Sequence, residues 1–290
     1  MRRSAVLKSL PIRKEDFVVE IGSGPAPFAY TKLIVEKYPF ENLERWGDVK
    51  NTAPMIQADA TRIPLKDQSC DVLFVSHVLE HMERPDEFLN EAQRCAKYIY
   101  LEFPTLQREL MYAWSFHKWV VEIQDNKLIC YPNDIPQLFG SFFHRNYDRI
   151  FHLWTEERFE ELNSFRYCRT DSLVLEYSYT TAMKIAIEKS ARGNNKVNFA
   201  EIQKQKYSTV DLGISTILNL APSGIRNIYD RARSYWNRRK SFPLTASLME
   251  KFHCLDCRNG SLQILKVAIR CDACGRVYPN INGIYHFDKS

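Results

Sequence analysis

The sequence predicts an α/β fold built on a doubly wound, mostly parallel sheet, with a small cysteine-rich module behind it. Three observations lead there. Short apolar runs alternate with helically spaced ones over the first hundred residues, a glycine turn closes the first run, and two CxxC pairs stand near the C-terminus. Strands alternating with helices favour parallel pairing through crossover connections.

Strands are expected at 17–21, 32–36, 55–58, 71–76 and 98–103. Between the last two, 77–97 carries apolar residues at helical spacing. Pro85 should split this stretch, because proline opens a helix well and interrupts one badly. Residues 105–170 are aromatic-rich and read as an insertion or lid over an acceptor. Residues 173–179 and 183–188 are expected to pair as an antiparallel hairpin, 190–208 to form a polar linker, and 223–240 to form a helix. The expected domains are therefore 1–190, a linker with a basic helix over 191–245, and a terminal module over 246–290.

With 290 residues, the chain can bury one α/β core and carry a small module besides. Hydrophobic residues at 45%, charged residues at 26% and a formal charge of +5 are ordinary for a globular protein, so charge alone selects no partner. No apolar run approaches the roughly 18 residues that span a bilayer. The basic start has too short an apolar stretch for a signal peptide. The eight cysteines do not form a secreted disulfide framework. A cytoplasmic location is expected, with a place at the inner face of the membrane as an option.

Glycines after a strand let the backbone approach a ligand closely. In an open α/β sheet that turn lies at the carboxyl edge, where ligands bind. The run Val18-Val19-Glu20-Ile21-Gly22-Ser23-Gly24-Pro25-Ala26 is such a turn. With Gln57-Ala58-Asp59-Ala60-Thr61-Arg62-Ile63-Pro64-Leu65 and Ser69 through His81, it resembles the first, third and fourth motifs of the class I S-adenosylmethionine (SAM)-dependent methyltransferases. The fourth motif looks like that of the ubiquinone-biosynthesis-like branch, and Glu20 through Pro27 together with Phe116-His117-Lys118-Trp119 looks like methyltransferases of polysaccharide-type pathways. The resemblance implies a Rossmann-like fold and SAM as cofactor. It covers about the first 105 residues and departs at Ala26, where the family has a third glycine.

Carried over by position, Gly22 and Gly24 would cradle the methionine part of SAM, with Glu20 nearby and Ser23 between them. Asp59 would accept from the adenine amino group beside the backbone of Ala60, and Ser76 ends the fourth strand at the same edge. A carboxylate ending the second strand would hold both ribose hydroxyls. Glu36 is the candidate, only 12 residues after Gly24, with Asp48 in reserve.

His77-Val78-Leu79-Glu80-His81 also fits the HxxEH pattern of zinc peptidases. That pattern needs a helix presenting both histidines, whereas here it directly follows a strand. His77 should lie near the sulfonium, and His81 is either catalytic or a buttress for the turn. Methyl transfer to a sugar hydroxyl needs a base, whereas a nitrogen with a free lone pair does not. His117, within Trp114-Ser115-Phe116-His117-Lys118-Trp119, is the candidate base, or else a histidine packed among aromatics.

Cys254, Cys257, Cys271 and Cys274 form two CxxC knuckles separated by 13 residues, the donor set of a closed structural zinc site. Gly275 and Asn259-Gly260 are expected to supply the left-handed turns that knuckles need. This tail resembles the small zinc-binding activator subunit that partners tRNA, rRNA and translation-factor methyltransferases. The resemblance implies a zinc ribbon fused in cis, without a catalytic metal.

Arg226, Arg231, Arg233, Arg238, Arg239 and Lys240 surround an apolar stripe within 223–240. They could meet RNA phosphates, an anionic membrane surface, or only solvent. Three functions follow as expectations. The first is O-methylation of a sugar hydroxyl in a glycan or glycolipid precursor. The second is methylation of RNA or a translation protein. The third is a non-catalytic binding module.

Overall fold

The computed structural model describes residues 2–41, 49–136, 154–191 and 242–288. They divide into two compact units. One holds 11–41, 49–103, 165–175 and 242–288, and the other holds 2–10, 104–136, 154–164 and 176–191. Asp48, Phe139, Phe142, Phe143 and the basic stretch 223–240 lie outside the described residues.

The first unit is built on strands β1 (Val18–Ile21), β2 (Thr31–Glu36), β3 (Met55–Gln57), β4 (Cys70–Ser76) and β5 (Ala96–Pro104). Each lies within two residues of its expected bounds. They run parallel in the order β3-β2-β1-β4-β5. Val18, Val19, Leu33, Ile34, Leu73 and Phe74 are fully buried, as befits parallel strands covered on both faces. The stretch 77–97 divides at Pro85 into a 3₁₀ turn, Leu79–His81, and a helix, Pro85–Cys95.

The first connection departs from the usual plan. Parallel strands normally need a crossover of a dozen or more residues, most often a helix. Residues 22–30 join β1 to β2 with no helix. The Glu20 carboxylate, buried on β1, accepts from the Phe28 amide at 3.0 Å and from the Thr31 hydroxyl, tying the loop back to its own strand. Phe28 stacks on Phe74 at 4.6 Å, and Phe74 on Tyr100 at 4.7 Å, so a file of rings supplies the cover a helix would give.

The cysteine-rich tail joins the same sheet. Strands β10 (Leu262–Ile264), β11 (Ala268–Cys271), β12 (Val277–Ile281) and β13 (Ile284–His286) form an antiparallel meander. Strand β13 lies parallel to β3, pairing Tyr285 with Ile56 and His286 with Gln57. Ile284 shares a buried cluster with Ile34, Ala53 and Met55. At the other edge, β8 (Asn163–Arg169) lies beside β5, completing ten strands.

The second unit contains the helix Leu106–Tyr112, the hairpin of β6 (Trp119–Gln124) and β7 (Lys127–Pro132), and the helix Ala182–Ala191. Leu106, Ala113, Val120, Tyr131, Ile135, Ala182 and Ala186 form its core. The hairpin expected between 173–179 and 183–188 is not formed. Strand β9 (Val174–Tyr177) pairs with β7 instead, and Met183–Glu188 is helical. Its apolar-polar alternation imitates a strand, but Ala182 and Ala186, one turn apart, are the residues buried.

Candidate functional site

Strand order reverses between β1 and β4, and the carboxyl ends of β1 to β4 carry the expected cofactor residues. Gly22 and Gly24 both have left-handed backbones, with φ of 65° and 55°. A Cβ on Gly22 would sit 2.6 Å from a Val78 methyl carbon, so the turn after β4 packs directly on the glycine loop.

Glu36 ends β2 and reaches into that loop. Its buried carboxylate accepts from the Gly24 amide at 3.4 Å and from the Ser23 hydroxyl at 3.5 Å. Asp59, just past β3, accepts from the Thr61 amide at 2.9 Å and the Thr61 hydroxyl at 2.8 Å, and pairs with Lys37 Nζ at 2.7 Å. Burial opposes ionisation of Asp59, but the bonds from Lys37 and Thr61 hold its carboxyl below the usual value. Asp59 is thus an acceptor, as recognition of an amino group requires. Ala60 is buried beside it, and Ser76 is half-buried at the end of β4.

The loop bearing Asp59 is clamped from the helix Pro85–Cys95. The Ile63 amide donates to buried Glu91 at 2.6 Å, and Arg94 donates to the carbonyls of Ile63 and Leu65 at 3.0 and 2.6 Å. The tail grips the same loop. Phe252 bridges Leu65, the His253 amide donates to the Pro64 carbonyl at 3.1 Å, and Arg62 donates to the Leu255 carbonyl at 2.6 Å.

His77 follows β4 with a left-handed backbone, φ 55°. Its Nδ1 lies 3.1 Å from Glu80 and its Nε2 3.3 Å from Glu102, both carboxylates being buried. Both ring nitrogens therefore face carboxylates, and the Glu102 contact ties the end of β4 to β5. His81 is half-buried in the 3₁₀ turn.

His117 belongs to the other unit and is buried there. Its Nδ1 lies 2.6 Å from Oε1 of Glu109, a residue the sequence reading did not single out. Trp114 lies 4.6 Å and Phe116 5.1 Å from the imidazole, centroid to centroid.

The four cysteine sulfurs all lie within 4.8 Å of one another. Cys254 to Cys274 and Cys257 to Cys271 are each 3.6 Å. Thiolates roughly 2.3 Å from one tetrahedral zinc stand about 3.8 Å apart, so the donor set fits that ion. A Cβ on Gly260 would lie 2.2 Å from the Cys271 sulfur, so this glycine keeps room for the thiolate. The left-handed turn after the first knuckle is made by Arg258, φ 58°, rather than by Asn259-Gly260. The second falls at Gly275, φ 74°, as expected. Burial works against a Cys254 thiolate, but bonds from the Tyr278 hydroxyl and nearby amides bring its pKa to about 6.

A family model described as a methyltransferase domain matches residues 33–98, from β2 through the clamped loop into β5. The match covers less than a quarter of the chain and falls on the strands and loop that carry Glu36 and Asp59. No curated protein matches the sequence. Among solved structures, the YcgJ protein of Bacillus subtilis is 15% identical, over 38% of this chain and 55% of that one, with a TM-score of 0.28. A SAM-dependent methyltransferase of Thermotoga maritima is 28% identical, over 35% of this chain and 49% of that one, with a TM-score of 0.28. The complex between the Haloferax volcanii Trm112 methyltransferase activator and a protein assigned as a methyltransferase matches at 16% identity, over 46% of this chain and 72% of that one, with a TM-score of 0.31. The chain spans about half the length of the first two, at 55% and 49%. At these TM-scores no acceptor is carried across to this chain.

Proposed function

We propose that the protein is a SAM-dependent methyltransferase that methylates a sugar hydroxyl of a glycan or glycolipid precursor. The observation that carries the cofactor half is the set of Gly22, Gly24, Glu36 and Asp59 on the carboxyl ends of three adjacent parallel strands. In this reading the glycine loop receives the amino-acid end of SAM, Glu36 the ribose and Asp59 the adenine amino group. SAM supplies an electrophilic methyl group, and the protein supplies alignment, which accounts for much of the rate.

The hydroxyl half draws support from buried His117 and its aromatic surroundings. A nitrogen acceptor would leave such a base without a task. The four cysteines hold a structural zinc with no catalytic part.

A second reading, methylation of RNA or a translation protein with the ribbon as an activator in cis, draws on the pairing of β13 with β3. Under that reading, acceptor affinity falls steeply with salt; under the glycan reading it is nearly flat.

Calorimetric titration with S-adenosylhomocysteine tests the cofactor half. Binding is expected, and Asp59→Ala should weaken it by at least roughly tenfold, the worth of one charge-assisted hydrogen bond. No heat with either S-adenosylhomocysteine or SAM would leave the non-catalytic binding module as the surviving description.

A further inference from the structure

We propose that the Tyr278 hydroxyl is the donor that positions the Cys254 thiolate and sets how tightly the four-cysteine site holds its metal, an inference that rests on the structural-zinc reading above.

Cys254 opens the first knuckle and is fully buried, whereas Cys257 is half-buried and Cys274 exposed. A cysteine that ligates a metal does so as a thiolate. An anionic sulfur out of reach of water needs a donor from the protein itself. The Tyr278 hydroxyl lies 3.2 Å from Cys254 Sγ. The Leu255 amide donates to the same hydroxyl oxygen at 2.9 Å. A thiolate can only accept, so the hydroxyl proton points at the sulfur while the amide meets a lone pair of the oxygen. The amide behind the oxygen polarises the hydroxyl and strengthens the bond in front of it.

Tyr278 is held in place from several sides. It stands second in β12, paired with buried Ile269 of β11. Its ring stacks on Phe287 with centroids 4.4 Å apart, and the Arg276 guanidinium lies 5.8 Å from the ring centroid. Phe287 is anchored in turn, its amide donating to the Gln57 carbonyl at the end of β3 at 2.7 Å. With the side chain almost wholly buried, water does not compete for the hydroxyl. The tyrosine therefore follows the second knuckle in sequence and serves the first.

Such a bond has two measurable effects. It favours the thiolate over the thiol, and losing an outer donor of this kind costs roughly tenfold to a hundredfold in metal affinity. It also lowers the energy of the sulfur lone pairs, so charge transfer from sulfur to a bound metal absorbs at shorter wavelength.

Cobalt(II) in place of zinc, bound to the intact chain, is the probe, because its sulfur-to-metal absorption reports the thiolates directly. The wild type is expected to bind one equivalent with a tetrahedral, four-thiolate spectrum. Tyr278→Phe keeps the ring and removes only the hydroxyl. It should lower affinity for cobalt and zinc, read by competition with a chelator, by roughly tenfold to a hundredfold, and move the charge-transfer band to longer wavelength. An unshifted band would overturn the proposal even if affinity falls, since the hydroxyl would then serve only the Leu255 amide. A shifted band with wild-type affinity would overturn its hold on the metal. If Tyr278→Phe does not fold, the wild-type chain made with 3-fluorotyrosine, a stronger phenol donor, should move the band to shorter wavelength, and no movement would count against the bond. A wild-type chain that binds neither cobalt nor zinc would instead sink the structural-zinc reading itself.

Discussion

At Gly22 a methyl group would lie 2.6 Å from Val78, on a backbone with φ of +65°. Gly22→Ala is therefore strained twice, by about 1–3 kcal/mol from the backbone and more from the contact. The expected outcome is a melting temperature lower by several degrees and little or no calorimetric response to S-adenosylhomocysteine. A variant that melts and binds like wild type would show that the loop moves freely off Val78. The placement of Gly22, Glu36 and Asp59 at or just past the ends of β1, β2 and β3 was legible because each falls in a run that closes an apolar strand. Glu109 was not, since it precedes His117 by eight residues in no helical or strand register, and only the turn at Ala113 brings them together. Glu20 was legible as a motif residue, but its bonds to the 22–30 connection were not, because nothing local announces a missing helix.

Among the elements, the loop 59–67 is held by the helix Pro85–Cys95 on one side and by the tail on the other. His253, at that junction, is 5% exposed. Burial, then the neighbouring Arg94 charge, lowers its pKa. A histidine with a depressed folded-state pKa favours the folded state fully only above its ordinary value of about 6.5. As pH falls through that value toward the folded-state pKa, this contribution is lost. Thermal melts from pH 8 to pH 5.5 should therefore show falling stability, and His253→Gln should flatten the slope. Equal slopes in both proteins would place the acid sensitivity elsewhere. At this scale the apolar strands were readable, while the β6–β7 hairpin was hidden in the aromatic stretch. Its turn at Asp125, φ 53°, lacks the glycine that usually marks a tight hairpin.

For the molecule as a whole, the tail is part of the main sheet as well as the carrier of the four-cysteine cluster. β13 covers the edge of β3, which would otherwise offer unpaired backbone groups to other chains. Apparent zinc-binding energies in small modules, about 10–16 kcal/mol, match or exceed the whole stability of an ordinary domain. Removing the metal with a strong chelator, or replacing Cys254 with Ala, should lower the melting temperature by roughly 10 °C or more and promote concentration-dependent aggregation. Calorimetry with metal analysis checks this. One zinc per chain is expected, and an unchanged melt after its removal would refute a structural part for it. The doubly wound sheet and the four-cysteine site were both readable from pattern and spacing. Their union was not, because strand pairing between β3 and β13 leaves no mark in either segment alone. No described helix is long and apolar enough to cross a membrane.

The pairing of Tyr285 with Ile56 also sets an order of events during synthesis. A ribosome adding about 5–20 residues per second needs roughly 10–50 s to travel from β3 to β13. Over that interval the nascent chain has its first five strands in hand but an open flank at β3. Such long-range closure is slow and exposed to mispairing. Closure of that flank therefore waits for the last strand of the tail to emerge.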